Sequence, residues 1–345
     1  MIPEILKHDV FNYNQLEKER LLFKELNFLH NYHLLNSKEY QKLFKKNDTL
    51  KSNLIDFPFL PVSSFKNHNL YSVNKENIVK TLTSSGTSGG AVSKIHLDKY
   101  TANLQSLALS KIFGKILGDK RLPMLIVDTK KILKNRREFS ARGAGILGIF
   151  PFGKDHTFCL NDDLNLNTKV IESFVEKYRN QKIIIFGFTF LVWSSLMKSG
   201  LKIDFSNSIL VHSGGWKKLI SQGISNSDFR KKLATLFNIT DIYNYYGMVE
   251  QVGTVFIESE DDSFISPVFS DIIIRDPKTL NEAEDGSIGL VQIVSCLPKS
   301  YPGHSILTED LGYIIPRNSK EDKKRFRILG RAKKAEIRGC SDTLK

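Results

Sequence analysis

Thr81-Leu-Thr-Ser-Ser-Gly-Thr-Ser-Gly-Gly-Ala-Val-Ser-Lys94 is a hydroxyl- and glycine-rich stretch that closes on a lysine. Ser84, Ser85, Thr87 and Ser88 supply hydroxyl donors, and Gly86, Gly89 and Gly90 admit backbone conformations that side chains forbid. Such a backbone can turn successive N–H groups toward an anion, with Lys94 adding positive charge. The stretch therefore reads as a polyphosphate cradle, or as a flexible Gly/Ser surface loop. Its surroundings decide between the two.

A chain of 345 residues with 41% hydrophobic content can bury a large core as one big domain or two moderate ones. With 23 Phe and 11 Tyr it carries far more apolar surface than a disordered chain. The longest apolar run, Ile183–Leu196, is interrupted by Gly187, Thr189 and two serines, so no membrane span is expected. Met1-Ile-Pro-Glu-Ile-Leu-Lys7 lacks the layout of a secretion signal, and the expectation is a cytoplasmic protein. Cys159, Cys296 and Cys340 are too widely spaced for a disulfide framework or a metal knuckle.

The net charge of +13 raises the question of an anionic partner. Many basic residues alternate with acidic ones, as in Leu16-Glu17-Lys18-Glu19-Arg20, which suits a solvated helix face. Arg317–Lys345 is the exception, with eleven basic and four acidic residues. No helix-turn-helix, zinc-finger or RNA-recognition pattern is present, and no nucleic-acid partner is expected.

Residues 1–75 read as a mostly helical region, with apolar residues at helical spacing from Tyr13 to Tyr32 and a stop at Phe57-Pro58-Phe59-Leu60-Pro61. Strand-like runs follow at Leu125–Val127, Lys182–Phe186, Ser208–Val211 and Asp241–Tyr243, with helical stretches such as Val170–Tyr178 and Asp228–Phe237 between them. This alternation predicts an α/β fold with largely parallel sheets flanked by helices. Phe264–Arg275, Gly289–Val294 and Leu311–Ile315 add a small β-rich appendage.

Three polar segments follow predicted strands, where open α/β sheets place ligands. They are Phe186-Gly187-Phe188-Thr189, His212-Ser213-Gly214-Gly215-Trp216-Lys217 and Asn244-Tyr245-Tyr246-Gly247-Met248-Val249-Glu250. Gly214-Gly215 permits close approach of a flat ligand, Tyr246 offers a stacking face, Asn244 an amide for a base edge, and Glu250 a hard oxygen ligand for magnesium. Each alone reads better as an ordinary strand-to-helix turn; together with a phosphate-type loop they favour a nucleotide site. His212 reads as a structural strand-end histidine, and Arg142-Gly143 lies in a Gly/Ala-rich segment able to shape a carboxylate site.

The order of these segments resembles that of adenylate-forming enzymes. Ser84–Lys94 is similar to their phosphate loop T-S-G-T-T-G-x-P-K, Tyr246-Gly-Met-Val-Glu250 to Y-G-x-T-E, Thr308-Glu-Asp310 to T-G-D, and Ile328-Leu-Gly330-Arg331 to their G-R hinge motif. Within that superfamily, Phe59-Leu-Pro-Val-Ser-Ser-Phe65-Lys66, Gly214-Gly-Trp-Lys217 and Arg338-Gly-Cys340-Ser resemble the acyl-protein synthetases of bacterial bioluminescence operons over almost the whole chain.

The resemblance implies an adenylate-forming N-terminal-domain fold and an ATP-dependent, AMP-forming acid–thiol ligase. A carboxylic acid, of fatty-acid type, would be activated as acyl-adenylate, loaded as a thioester on Cys340, and passed to a partner reductase or acyltransferase. It implies that Ser84, Ser85, Gly86, Thr87, Ser88, Gly89 and Lys94 hold phosphates. Gly214, Gly215, Tyr246 and Gly247 would frame the adenine, with Asn244 at its edge. Glu250 would bind Mg²⁺, and Asp310 and Arg331 would contact the ribose. The expected organisation is a helical region at 1–75, an adenylating core at 76–330 and a short tail at 331–345 carrying Cys340, with the superfamily's C-terminal domain absent or reduced to that tail. In Lys333-Lys334-Ala-Glu-Ile-Arg338-Gly-Cys340, cationic neighbours favour a thiolate, although a lone cysteine in a basic tail can also be idle.

Two positions depart from the pattern: Ser93 replaces the proline before the loop lysine, and Val249 the threonine before the glutamate. Two rival readings stand beside the first. One is an adenylate-forming ligase delivering to coenzyme A, a carrier protein or an amine. The other is a catalytically silent subunit that uses this fold to bind a partner.

Overall fold

A computed structural model of the chain describes residues 2–44, 53–84, 92–133, 141–197, 199–214, 216–220, 222–259 and 261–332. The chain divides into two compact units. The first comprises Met1–Ile112, Gly247–Phe256 and Ser263–Lys345, and the second Phe113–Tyr246 and Ile257–Asp262. Among the described residues no helix is long and apolar enough to cross a membrane.

The first unit begins with α1 (Gln15–Asn36), α2 (Lys38–Leu43), β1 (Leu60–Pro61) and α3 (Ser64–Asn67). The hairpin β2 (Ile78–Thr83) and β3 (Lys94–Asp98) follows, and then α4 (Lys99–Leu117), of which this unit takes the part up to Ile112. Asn14 caps α1, its side chain accepting from the N–H groups of Leu16 and Glu17 at 3.0 and 3.3 Å. The helix expected from Tyr13 to Tyr32 is present, but its buried face is not the purely apolar one that the periodicity suggested. Gln15, Lys18, Leu22, Leu26, Leu29 and His33 point inward at helical spacing, while Leu16 and Phe28 are exposed.

Charge explains that face. Asp271, fully buried, lies 3.4 Å from Lys18 Nζ and 3.3 Å from Lys324 Nζ, and accepts from Gln15 Nε2 at 2.7 Å. Lys324 also pairs with Glu19 at 2.9 Å. Burial opposes ionisation of Asp271, but Lys18, Lys324, the Ile272 N–H and Gln15 outweigh it and hold the carboxyl below its usual range. Burial pulls Lys18 down to about 8 despite the nearby Asp271.

In the second unit five parallel strands run in the order β5-β4-β6-β7-β8. These are β4 (Leu122–Thr129), β5 (Gly153–Leu160), β6 (Ile183–Phe188), β7 (Ser208–Ser213) and β8 (Asp241–Gly247). Helices α5 (Ala141–Ile149), α6 (Thr168–Tyr178), α7 (Thr189–Met197), α8 (Trp216–Ile220) and α9 (Asn226–Phe237) are interspersed along the chain. The near-continuous apolar runs of β4, β6 and β7 are buried on both faces, as parallel strands between helices require. A Cβ at Gly187 would sit 2.7 Å from Val192 and 2.9 Å from Val127, so this close packing needs a glycine. The α9 start is fixed by a capping box between Ser225 and Asp228.

The chain then supplies β9 (Val255–Glu258), β10 (Phe264–Ile265), β11 (Ser270–Arg275), β12 (Gly289–Ser295), β13 (Ser305–Ile314) and β14 (Arg325–Arg331). Strands β11-β12-β13-β14-β10 of the first unit are antiparallel neighbours, and β1 pairs parallel with β13 at Ile306 and Leu307. The expected run Phe264–Arg275 is two strands, because Pro267 has no N–H to extend a ladder.

Asp271→Asn removes the anion shared by two buried ammonium groups and is expected to cost about 3–5 kcal/mol in urea unfolding. Lys18→Met leaves the Asp271–Lys324 pair intact and is expected to cost less than half of that. Between pH 8 and 10.5 the folded protein has released the Lys18 proton that the unfolded chain still binds, so this group adds stability as pH rises. That rise is expected in the wild type and absent from Lys18→Met.

Candidate active site

The stretch expected to hold phosphate joins the paired strands β2 and β3 along the chain. Its stem is closed reciprocally, with Ser84 N–H donating to the Ser93 carbonyl at 3.2 Å and Ser93 N–H to Ser84 Oγ at 2.9 Å. Thr83 pairs in register with Lys94, which opens β3 and is exposed. The described residues on either side of 85–91 are thus paired strands, not the helix N-terminus that cradles phosphate in many nucleotide sites. Ser85, Gly86, Thr87, Ser88 and Gly89 lie outside the described residues, as do Gly215 and Cys340.

Glu250 is buried, and burial pushes its carboxyl above the usual range. The Ser93 side chain, the local backbone, and the charges of Lys66 and Arg331 act against that rise. The first unit thereby couples four segments far apart in sequence: the hairpin stem, α3, the Glu250 turn and the end of β14. The backbone here is held by a residue that sequence reading missed. Tyr301 Oη donates to the Glu250 carbonyl at 3.0 Å and accepts from Val252 N–H at 3.2 Å, while its ring meets Phe65 edge-on. Gly253 completes the turn at φ +80°, where a Cβ would stand 2.9 Å from Gln105 Cα. Tyr301 carries no motif of its own, so no local signal could have found it.

Asp310 and Arg331 are opposite each other on β13 and β14, with Leu311 opposite Gly330. Arg331 Nε lies 3.7 Å from Asp310 Oδ1 and Nη1 lies 4.0 Å from Glu309 Oε2. Arg331 is 68% exposed, so the pair contributes little to stability, yet the ladder holds both side chains at one place. Thr308 fixes the turn of chain before Asp310, its Oγ1 donating to the Val291 carbonyl at 2.7 Å and accepting from Asp310 N–H at 3.1 Å.

The remaining sequence-predicted residues belong to the second unit, except Gly247, which opens the next segment of the first. Gly214 follows β7 at φ +62°. The expected turn after a strand at Asn244–Gly247 is a continuation of β8 itself. Asn244 is buried there and donates from Nδ2 to Glu258 Oε1 at 3.2 Å. Burial pushes the adjacent Tyr245 hydroxyl up to about 12. His212 is buried, paired through Nδ1 with Thr189 Oγ1 at 2.9 Å, and driven by burial to about 3, which makes it a neutral packing residue. At the end of β4 the buried Asp128 lies 3.0 Å from Arg142 Nε; sequence reading singled out the arginine but not its partner. Cys159 and Cys296 are buried, and burial raises both thiols, Cys159 to about 12.

Tyr301→Phe leaves the Glu250 carbonyl and the Val252 N–H without their partner. The expected cost is about 1–3 kcal/mol in urea unfolding, with an altered response to nucleotide in the same assay.

A family model described as "Acyl-protein synthetase, LuxE" matches residues 2–345. A long-chain-fatty-acid–luciferin-component ligase from Aliivibrio fischeri is 28% identical over 299 residues, covering 82% of this chain and 76% of that protein. The ligase of the same name from Vibrio harveyi is 22% identical over 341 residues, covering 94% and 87%. Among solved structures, 2-hydroxyisobutyryl-CoA ligase in the postadenylation state with 2-HIB-AMP superposes with a TM-score of 0.69 at 13% identity, covering 94% of this chain and 69% of that one. ATP-bound MatB from Rhodopseudomonas palustris gives a TM-score of 0.51 at 14% identity, covering 75% and 49%. At these identities the solved structures establish a shared α/β fold. With a match that runs through nearly all of its length, the chain belongs to the LuxE acyl-protein synthetase family.

Proposed function

We propose that this protein uses ATP to activate a long-chain fatty acid as acyl-adenylate, carries the acyl group on Cys340 as a thioester, and delivers it to a partner protein such as a reductase or acyltransferase. The names of the bacterial relatives support the acid class, and the description of the family supports a protein acceptor. The observation that carries the reading is the buried carboxylate Glu250, its backbone held by Tyr301, in the same unit that pairs Asp310 with Arg331.

In the first half-reaction a carboxylate oxygen of the acid attacks the α-phosphorus. The bond to the bridging oxygen of the β-phosphate breaks, and pyrophosphate leaves with its electron pair. Positioning and charge stabilisation supply most of the catalysis in such displacements. In this reading Lys94 and residues 84–89 hold the leaving phosphates, Asp310 accepts from the ribose hydroxyls, and Arg331 restrains Asp310 and reaches the same sugar. Gly214, Gly215, Tyr246 and Gly247 frame the adenine.

Glu250 offers one hard oxygen donor, and the described residues include no group of three or more His, Cys, Asp or Glu side chains that could hold a metal ion. A single carboxylate fits Mg²⁺, which keeps substrate phosphates and waters as most of its ligands. When bound it would offset phosphate charge. In the second half-reaction the Cys340 thiolate attacks the acyl carbonyl carbon, the bond to AMP breaks, AMP leaves with the electron pair, and the thiol proton passes to solvent. Cys159 and Cys296 are unsuited to this step, since each is buried with a raised pKa. Residues 331–345 would then act as the acyl-bearing tail of the core.

Pyrophosphate exchange against a panel of fatty acids, followed by intact-protein mass measurement, tests the reading. Cys340→Ser is expected to keep exchange while losing protein-bound acyl label. Glu250→Gln is expected to lose exchange by about 100-fold or more. Because burial raises the Glu250 carboxyl, exchange should decline in mild acid, above the usual carboxylate range. Absence of exchange with every acid would favour a silent partner-binding subunit, and acyl-CoA formation without protein labelling a conventional ligase.

A further inference from the structure

The second unit contains a buried polar cluster that the proposed chemistry does not use. Glu258, 7% exposed, accepts from Arg230 Nη2 at 2.8 Å on one carboxylate oxygen. Its other oxygen accepts from Asn226 Nδ2 and Asn244 Nδ2, each at 3.2 Å. Arg230 is itself tied by Nη1 to the Ile242 carbonyl at 3.0 Å, and Asn226 Nδ2 also donates to Asp262 Oδ1 at 2.7 Å.

A carboxylate paired with a guanidinium can only accept hydrogen bonds. Each amide beside it must therefore turn its NH₂ inward, and Asn244 has no choice of orientation. Its Oδ1 is left facing the other way, buried and without a hydrogen-bond partner among the described residues. A buried acceptor in that state costs stability unless something supplies a donor.

We propose that Glu258 is a positioning residue for nucleobase selection: it locks the Asn244 amide so that Oδ1 is the acceptor presented to the 6-amino group of adenine. The proposal rests on the reading of Asn244 as the adenine-edge residue. A 6-oxo purine would place its O6 acceptor against Oδ1, so inosine and guanine nucleotides are rejected by repulsion as well as by a missing bond. Selectivity then depends on a carboxylate that never touches the base.

The test compares AMP and IMP binding by calorimetry. The wild type is expected to prefer AMP by about ten-fold or more. In Glu258→Gln the new side-chain NH₂ can donate to Asn244 Oδ1, the asparagine amide turns over, and its own NH₂ faces the base. The AMP preference should fall about ten-fold, with IMP binding gained in absolute terms, which a merely weakened fold would not produce. In an Asn244→Ala background the same Glu258→Gln change should leave the ratio unmoved.

A Glu258→Gln protein that keeps the wild-type ratio, or shifts it equally in the Asn244→Ala background, overturns the proposal. The wild type supplies an independent check should the variant not fold. One Asn244 side-chain amide proton is expected to resist hydrogen exchange both with and without AMP, and rapid exchange in both states overturns the lock. A wild type that exchanges pyrophosphate yet binds AMP and IMP equally overturns the base-selection proposal alone. A wild type with no exchange for any acid overturns the activity reading, and this proposal with it.

Discussion

The first unit is organised around one buried anion. Asp271 on β11 is shared by Lys18 from α1 and by Lys324 from the segment entering β14, and Gln15 completes its shell. Two charges of one sign around one of the other would be costly in an apolar interior, and the geometry is tolerable because the carboxylate also accepts from its own strand neighbour Ile272. The consequence is positional. The N-terminal helix, β11 and the approach to β14 are held by a single side chain, and β14 ends at Arg331, opposite Asp310.

The same logic recurs where ligand chemistry is inferred. Glu250 and Glu258 are both buried carboxylates, one with its backbone held by Tyr301 and the other with its side chain met by an arginine and two amides. Their environments differ in a way that matters. Burial raises the Glu250 carboxyl, and the neighbouring charges of Lys66 and Arg331 only partly offset it. Glu258 meets an arginine and two amides directly, and its effect is to orient its neighbours. The buried thiols of Cys159 and Cys296 are packing elements, so reactivity in this reading belongs to Cys340 in a cation-rich segment.

The α/β alternation was legible because strand and helix periods are local. Lys182–Phe186 and Ser208–Val211 read as strands and are strands, slightly longer at their ends. The ladder extends β8 to Gly247, and so turns an expected loop at Asn244–Tyr246 into pleated backbone with Asn244 on a buried face. In α1 the apolar Leu22, Leu26 and Leu29 do face inward, but they share that face with Gln15, Lys18 and His33. Lys18 is inside because Asp271 waits for it 253 positions later, a partner that no window of sequence reveals.

The sequence by itself determined the fold class, the family and the order of the phosphate, Glu250, Asp310 and Arg331 motifs, because each is written in short runs whose chemistry is local. Only the tertiary structure decided which carboxylates are dry and who their donors are. Tyr301 beneath Glu250, Asp128 beside Arg142, and the Arg230–Glu258–Asn244 chain join residues that share no spacing rule. Desolvation and hydrogen-bond direction are properties of packed surroundings, so the residues that orient a site are the last to be legible along a chain.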